Sequence, residues 1–364
     1  MSPLRFLLTH QFKQDRQARQ TGGFTLIELL VAMVLAFLVI TPLMGLAINI
    51  METDRKEQAK ANSEQEIKTA LDYIAQDLQQ AIYIYDADGL STNQSNTGRS
   101  GIRNQIPPIA QEVGDCKRNN CPPVLVFWKR ELQKNLVPGS NSVTDCGRIT
   151  DQASKCNDAY TYSLVGYYLI SDPATTRNNT WSTAARIARF EIKDGVRDPK
   201  RPTINRLPNW ITYNGRRREA DKGFEAFNLR GVGNLKQKMN RWKKGAAPYD
   251  STSINVLVDY VDRETPSSQT IPAKLECDTT NIPGVTPLTK REQRVPTATT
   301  ANTANSFYAC VNSNENYARI YLRGNALARL EKQNSSPSYT ANNSAYFPTI
   351  TIQVKGNGFL FTRQ

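Results

Sequence analysis

Apolar residues are spread very unevenly along this chain. From Phe24 to Ile50 runs a 27-residue segment, FTLIELLVAMVLAFLVITPLMGLAINI, that is almost wholly hydrophobic. A bilayer hydrocarbon core needs about 20 apolar helical residues, so this segment is long enough to span one. Polar sequence begins at Glu52, and the pattern becomes that of an amphipathic helix. Ile67, Leu71, Ile74, Leu78, Ala81 and Tyr85 recur at 4-3-4-3-4 spacing, which predicts one apolar stripe. The other face carries Glu64, Glu66, Lys68, Asp72, Gln76 and Gln79, with Glu64 and Lys68 spaced as an i,i+4 ion pair. A helix running from Phe24 to Tyr85 would be about 90 Å long. Only about its first half fits a membrane, so the stem over 51–85 is expected to dock its stripe on a sheet as core.

After Asp86 the pattern shifts again. Turn signals at Asp88-Gly89, Thr97-Gly98 and Pro107-Pro108 precede a series of β-branched and aromatic runs. These predict strands at Val124–Trp128, Tyr160–Ile170, Ala185–Ile192, Ile254–Val261, Ala318–Leu322 and Thr349–Val354. A short helix is expected near Gly223–Lys238. No internal repeat is visible, and 86–364 reads as one α+β head with long insertions. Residues 278–305 are rich in Thr, Pro and Asn and predict a mobile surface loop.

Composition narrows the chemistry. The chain has 364 residues, a net charge of +13 and 39% hydrophobic residues, so much of it is surface or loop with a bias toward anionic partners. Its one histidine is His10, ahead of the apolar segment. If the leader is removed no histidine remains, and Ser-His-Asp catalysis, His-ligated zinc and His-based pH switching fall together. No nucleophile–base pair is recognisable, and the expected function is not enzymatic. Asp86-Ala87-Asp88-Gly89 resembles a fragment of a calcium loop but lacks the later carboxylates, so neither cofactor nor metal is expected. Glu191 and Asp194 offer no sign of a glycosidase site without geometry.

The N-terminus is the most specific region. Arg5, Lys13, Arg16 and Arg19 stand against Asp15 alone, which holds residues 1–23 on the cytoplasmic side. A secretory signal would place small residues after the apolar stretch; here Gly22-Gly23 precedes it. Cleavage at that pair would retain the apolar helix. Glu28, alone in that helix, is costly in a bilayer and calls for a partner. The amine of a newly exposed Phe24 would serve, within one helix or between staggered helices. The plainer alternative is an anion favoured by the helix dipole.

The string Gly23-Phe24-Thr25-Leu26-Ile27-Glu28-Leu29-Leu30-Val31 resembles the class III signal of type IV pilins and type II secretion pseudopilins. The resemblance covers about 30 residues. It implies cleavage between Gly23 and Phe24 by a prepilin peptidase, N-methylation of Phe24, and a role for Glu28 in filament assembly. It also implies the pilin architecture, a long helix packed on an antiparallel sheet. Pro42 lies somewhat nearer the N-terminus than the helix-breaking proline of many major pilins. The stem end from Leu71 to Asp86 resembles that of large minor pilins and J-type minor pseudopilins. Together with Val124-Leu125-Val126-Phe127-Trp128-Lys129-Arg130-Glu131 it is similar to minor pseudopilins of hormogonium polysaccharide secretion in filamentous cyanobacteria.

From that resemblance the expected protein is a minor pseudopilin, single-pass in the inner membrane with its head in the periplasm, serving polysaccharide secretion and gliding motility. Its partners would be the prepilin peptidase, other pilins or pseudopilins, the assembly platform and an anionic polysaccharide. Six cysteines, Cys116, Cys121, Cys146, Cys156, Cys277 and Cys310, follow the apolar segment. On the exported side they would form disulfides, and local economy favours pairing them in chain order. The alternative reading is a minor pilin whose basic head binds DNA or a surface glycan. Arg216-Arg217-Arg218 and Arg241-Trp242-Lys243-Lys244 suit polyanion contact, and Tyr83, Tyr85 and Tyr213 could stack on sugars. A solvated basic face and core tyrosines are the plainer explanation, and nucleic acid is not expected.

Overall fold

The computed structural model describes residues 23–95, 99–139, 145–147, 156–172, 180–205, 207–263, 275–282, 290–297, 306–330 and 337–358. The leader, apart from Gly23, lies outside them. The chain divides into two units, Met1–Arg55 and Lys56–Gln364, and the division falls inside one helix. That helix, α1, spans Leu26–Gln79. In the first unit its apolar side chains are exposed, from Leu26 at 85% to Met51 at 65%. It is long and apolar enough to cross a membrane. Pro42 does not end it, although Pro42 has no amide to offer the Leu38 carbonyl.

In the second unit α1 buries Ile67, Leu71, Ile74 and Leu78 in the same core as the strands. Gly324 makes that docking close. A Cβ there would meet Ser63 Oγ at 2.9 Å and Ile67 Cγ2 at 3.1 Å. The helix stops earlier than the periodicity predicts. The chain instead forms strand β1, Ala81–Ile84, followed by the short helix α2, Ala87–Ser91. Ala81 and Tyr85 continue the 3-4 spacing, but Ala81-Ile82-Tyr83-Ile84-Tyr85 is rich in β-formers, and pairing with a neighbouring strand overrides local helical preference. The Gln79 and Ala81 carbonyls are taken up by Asn357 N–H at 2.9 Å and Gly358 N–H at 3.2 Å.

Strands β2 (Pro123–Pro138), β3 (Cys156–Ile170) and β4 (Ala185–Lys193) follow. Two-residue strands then form the small hairpins β5–β6 (Thr203–Ile204, Leu207–Pro208) and β7–β8 (Thr212–Tyr213, Arg216–Arg217). Helix α3 covers Leu235–Met239 and strand β9 Ile254–Val261. The chain closes with β10 (Gln293–Val295), β11 (Phe307–Asn312), β12 (Tyr317–Arg323) and β13 (Thr349–Lys355). Two antiparallel sheets result, ordered β1-β2-β3-β4-β9 and β10-β11-β12-β13. One core cluster includes residues of both sheets and of the stem, so the fold class is α+β.

Three expectations are corrected here. The helix sought at Gly223–Lys238 is only Leu235–Met239. The upstream residues instead carry Phe224 and Phe227, whose rings meet Trp128 edge-on at 5.9 and 5.0 Å. The loop expected over 278–305 contains strand β10, paired with β11 and anchored by Arg294 stacked on Tyr308 at 4.3 Å. Residues 283–289 and 298–305 lie outside the described set. Strands β2 and β3 also run beyond their apolar segments, pairing from Pro123↔Tyr168 to Pro138↔Cys156. Disulfides join Cys116 to Cys121, Cys146 to Cys156 and Cys277 to Cys310, matching the pairs that ring-size economy favours.

Candidate functional site

Gly23, Phe24 and Thr25 form an irregular segment ahead of α1, and Phe24 is 81% exposed. Thr25 starts the helix. Its carbonyl accepts from the amides of Glu28 and Leu29 at 3.0 and 3.1 Å, and its hydroxyl accepts from Glu28 N–H at 3.4 Å. Glu28 therefore sits in the first turn, where the dipole favours an anion. Its side chain is exposed, and no ion pair involves it among the described residues. Before cleavage the Phe24 nitrogen is an amide, so the pairing inferred from the sequence requires processing. A Cβ on Gly23 would meet nothing within 4 Å. The fold therefore places no steric demand for glycine there; such a demand would come from a protein that reads the segment.

An accessible Gly-Phe bond thus leads into an exposed apolar helix with a carboxylate in its first turn. The chain carries the prokaryotic N-terminal methylation motif. The family model for this motif matches residues 18–44. The motif supports a subunit of the type IV pilin or pseudopilin type, processed by a prepilin peptidase and assembled with other pilins. It also supports anchoring in a membrane. No curated protein and no solved structure matches the chain.

The head side of the stem holds a cluster that the sequence reading overlooked. Asp77 of α1 is 7% exposed. Its Oδ1 accepts from Lys129 Nζ at 2.8 Å, and its Oδ2 accepts from Tyr167 O–H and Arg189 Nε, each at 2.8 Å. Arg189 also donates to Glu191 at 2.8 Å, and Lys129 Nζ lies 3.3 Å from the same carboxylate. Helix α1 is thereby tied to β2, β3 and β4 by two carboxylates facing two cations, the buried Lys129 and the partly buried Arg189. Burial alone would raise the Asp77 pKa, but the hydrogen bond and charge of Arg189, then those of Lys129, outweigh it and hold the pKa below its ordinary value. Glu191 is lowered in the same way, burial being overcome chiefly by Arg189. Burial and the Asp77 charge push the Tyr167 hydroxyl up, so it stays a donor. Asp77 was recognisable: it lies three residues after Ile74, on the apolar face. Its partners are 52 to 112 residues away in sequence and could not be read.

The calcium-like fragment has its own counter-ion. Asp86 caps α2 through Gly89 N–H at 3.2 Å, and Lys236 Nζ bridges Asp86 Oδ2 at 2.6 Å and Asp88 Oδ2 at 2.8 Å. Ser313 donates to Asp86 and Gln293 to Asp88, so this ion pair joins α2, α3, β10 and the end of β11. Cys277, Glu292 and Cys310 also converge. There the sulfurs form a disulfide and Glu292 accepts from Arg319, a structural arrangement.

Several candidate contact residues are placed in the core. Trp242 is 3% exposed, its indole N–H donates to the Glu225 carbonyl at 2.7 Å, and its ring meets Trp128 at 5.5 Å. It cannot stack on a nucleic acid base. Tyr83 and Tyr85 are buried, and the Tyr85 hydroxyl accepts from Trp128 Nε1 and donates to the Met239 carbonyl, both at 3.0 Å. Tyr213 is half-buried beneath the Arg218 guanidinium, 4.9 Å from its ring. Arg216 and Arg217 are exposed on strand β8.

Proposed function

We propose that the chain is a minor pseudopilin, a non-enzymatic subunit of a type IV pilus-like or type II secretion-like filament. The observation that carries this is the methylation motif seated on an exposed helix of membrane-spanning length. In this reading the Gly23–Phe24 bond is cut, Phe24 is methylated, and its amine meets Glu28 of a neighbouring subunit. The apolar helix waits in the inner membrane with the disulfide-bonded head in the periplasm, where such bonds persist. The head's bulk and long insertions would obstruct regular lateral packing and suit a tip or minor position. Polysaccharide secretion and gliding motility are the finer assignment, resting on the likeness of the stem end and of Val124–Glu131 to hormogonium secretion pseudopilins.

The alternative, a minor pilin whose head captures DNA or a surface glycan, is favoured by the exposed cations Lys200, Arg201, Arg216 and Arg217. It loses its stacking platform with the burial of Trp242. Quantitative mass spectrometry of sheared filaments tests the minor role. The chain is expected well below the main subunit; comparable abundance would overturn it. The alternative requires binding of anionic polymers by the full chain with a steep salt dependence, and no binding at low salt removes it.

A further inference from the structure

A cavity of about 460 Å³ lies in the head between α2, the loop around Ile106–Ile109, residues 118–123 and the segment after β10. Small-molecule sites commonly span about 300–1,000 Å³ and are mostly apolar with a few polar groups. The walls here fit that description, with Leu90, Ile106, Pro107, Pro108, Pro123 and Pro296 supplying the apolar surface. Among the described residues, the charged members of the lining are Arg103 and Arg118, with no Asp or Glu. Both arginines are exposed, and among the described residues neither guanidinium enters an ion pair or hydrogen bond.

We propose that this cavity binds a small organic anion with an apolar body, an aryl or short-chain acyl carboxylate. Two uncommitted guanidinium groups beside an apolar wall supply the charge complement, and their forked donors match a carboxylate better than a lysine would. The walls are pre-organised. The proline rings have fixed φ, and the disulfide to Cys116 tethers Cys121. Little ordering cost then falls on binding. Among its described residues the lining has no aromatic ring, so these walls offer a sugar or a nucleobase no stacking surface. An apolar chain or aryl body would fill the proline-lined wall instead. This inference is independent of the filament reading, since it uses only head residues.

The test uses the full chain in zwitterionic lipid nanodiscs and a photoreactive probe, 4-[3-(trifluoromethyl)diazirin-3-yl]benzoate, with its neutral carboxamide as control. After illumination, labelled peptides are mapped by mass spectrometry. The expected result is labelling of peptides containing Ile106–Ile109 or Val295–Thr297, about tenfold stronger for the carboxylate than for the carboxamide. The double variant Arg103→Gln/Arg118→Gln, both exposed positions, should lose that preference. Ser91→Trp, at an exposed lining position, should block labelling with both arginines present. Equal labelling by acid and amide, labelling only elsewhere, or labelling unchanged in either variant would overturn the proposal.

Discussion

Replacing Asp77 by asparagine should test what holds the stem to the sheet. The side chain keeps its size but loses its charge, and its amide presents donors where Lys129 and Arg189 already donate. The buried Lys129 and the partly buried Arg189 then face Glu191 alone. Breaking a buried ion pair by removing one partner costs about 3–5 kcal/mol, a large share of the roughly 5–15 kcal/mol that stabilises a typical domain. Thermal unfolding of the full chain in detergent, followed by tryptophan fluorescence, should show a midpoint lowered by of order 10 °C. Asp77→Asn/Lys129→Met removes one charge of each sign and leaves Arg189 facing Glu191. Its loss should fall short of the sum of the two single losses by at least about 1 kcal/mol. A shift below about 2 °C for Asp77→Asn, or strict additivity in the double variant, would refute the reasoning.

The Asp77 contribution should depend on pH in one direction. Its folded pKa lies below the ordinary 3.8, so its stabilisation is present above that value and is lost as pH falls through the lower folded value. The midpoint difference between wild type and Asp77→Asn should therefore be constant at neutral pH and shrink below about pH 4; a gap that widens on acidification contradicts this. Taking the difference matters because burial raises the pKa values of Asp194 and Asp221, which act in the opposite sense. Gly23→Ala should leave the melting curve unchanged but slow leader removal, and Gly23→Glu should abolish removal, both read by immunoblot mobility. A destabilised Gly23→Ala would mean that the fold, rather than a peptidase, requires the glycine. Glu28→Ala should insert in the membrane yet fail to enter filaments, and normal incorporation in a sheared-filament assay would count against the pairing. Cys277→Ser/Cys310→Ser opens a ring spanning 33 residues and should cost about 3–4 kcal/mol by chain entropy, measured by chemical denaturation. A loss under about 1 kcal/mol would show that β10–β11 pairing holds the segment unaided.

Much of this architecture could be read because its signals are local. The stripe Ile67, Leu71, Ile74, Leu78 predicted a docked stem, and those four side chains are 0–1% exposed. The β-branched and aromatic runs predict six strands, and each lies within or matches an observed strand. The failures share one cause, partners distant in sequence. Ala81–Tyr85 continued the helical spacing, and only pairing with Phe127–Lys129 makes the run a strand. Strand β11 is short and borders a polar stretch, so its apolar residues raised no signal until β10 and β12 flanked it. Trp242 sat in a basic tetrapeptide that read as a polyanion contact, yet Trp128 draws its ring into the core. Asp77 stood on the apolar face of its own helix, a warning visible in the sequence, but Arg189 and Lys129 had to be brought to it by the sheet.

The central claim is that this chain enters the prepilin pathway, and the mass of its N-terminal peptide tests it most directly. The protein should be isolated from its own cells, digested and analysed by tandem mass spectrometry. The expected result is a peptide beginning at N-methylated Phe24, with residues 1–23 absent. A mature protein still beginning at Met1 would contradict the claim and leave α1 as a plain signal anchor.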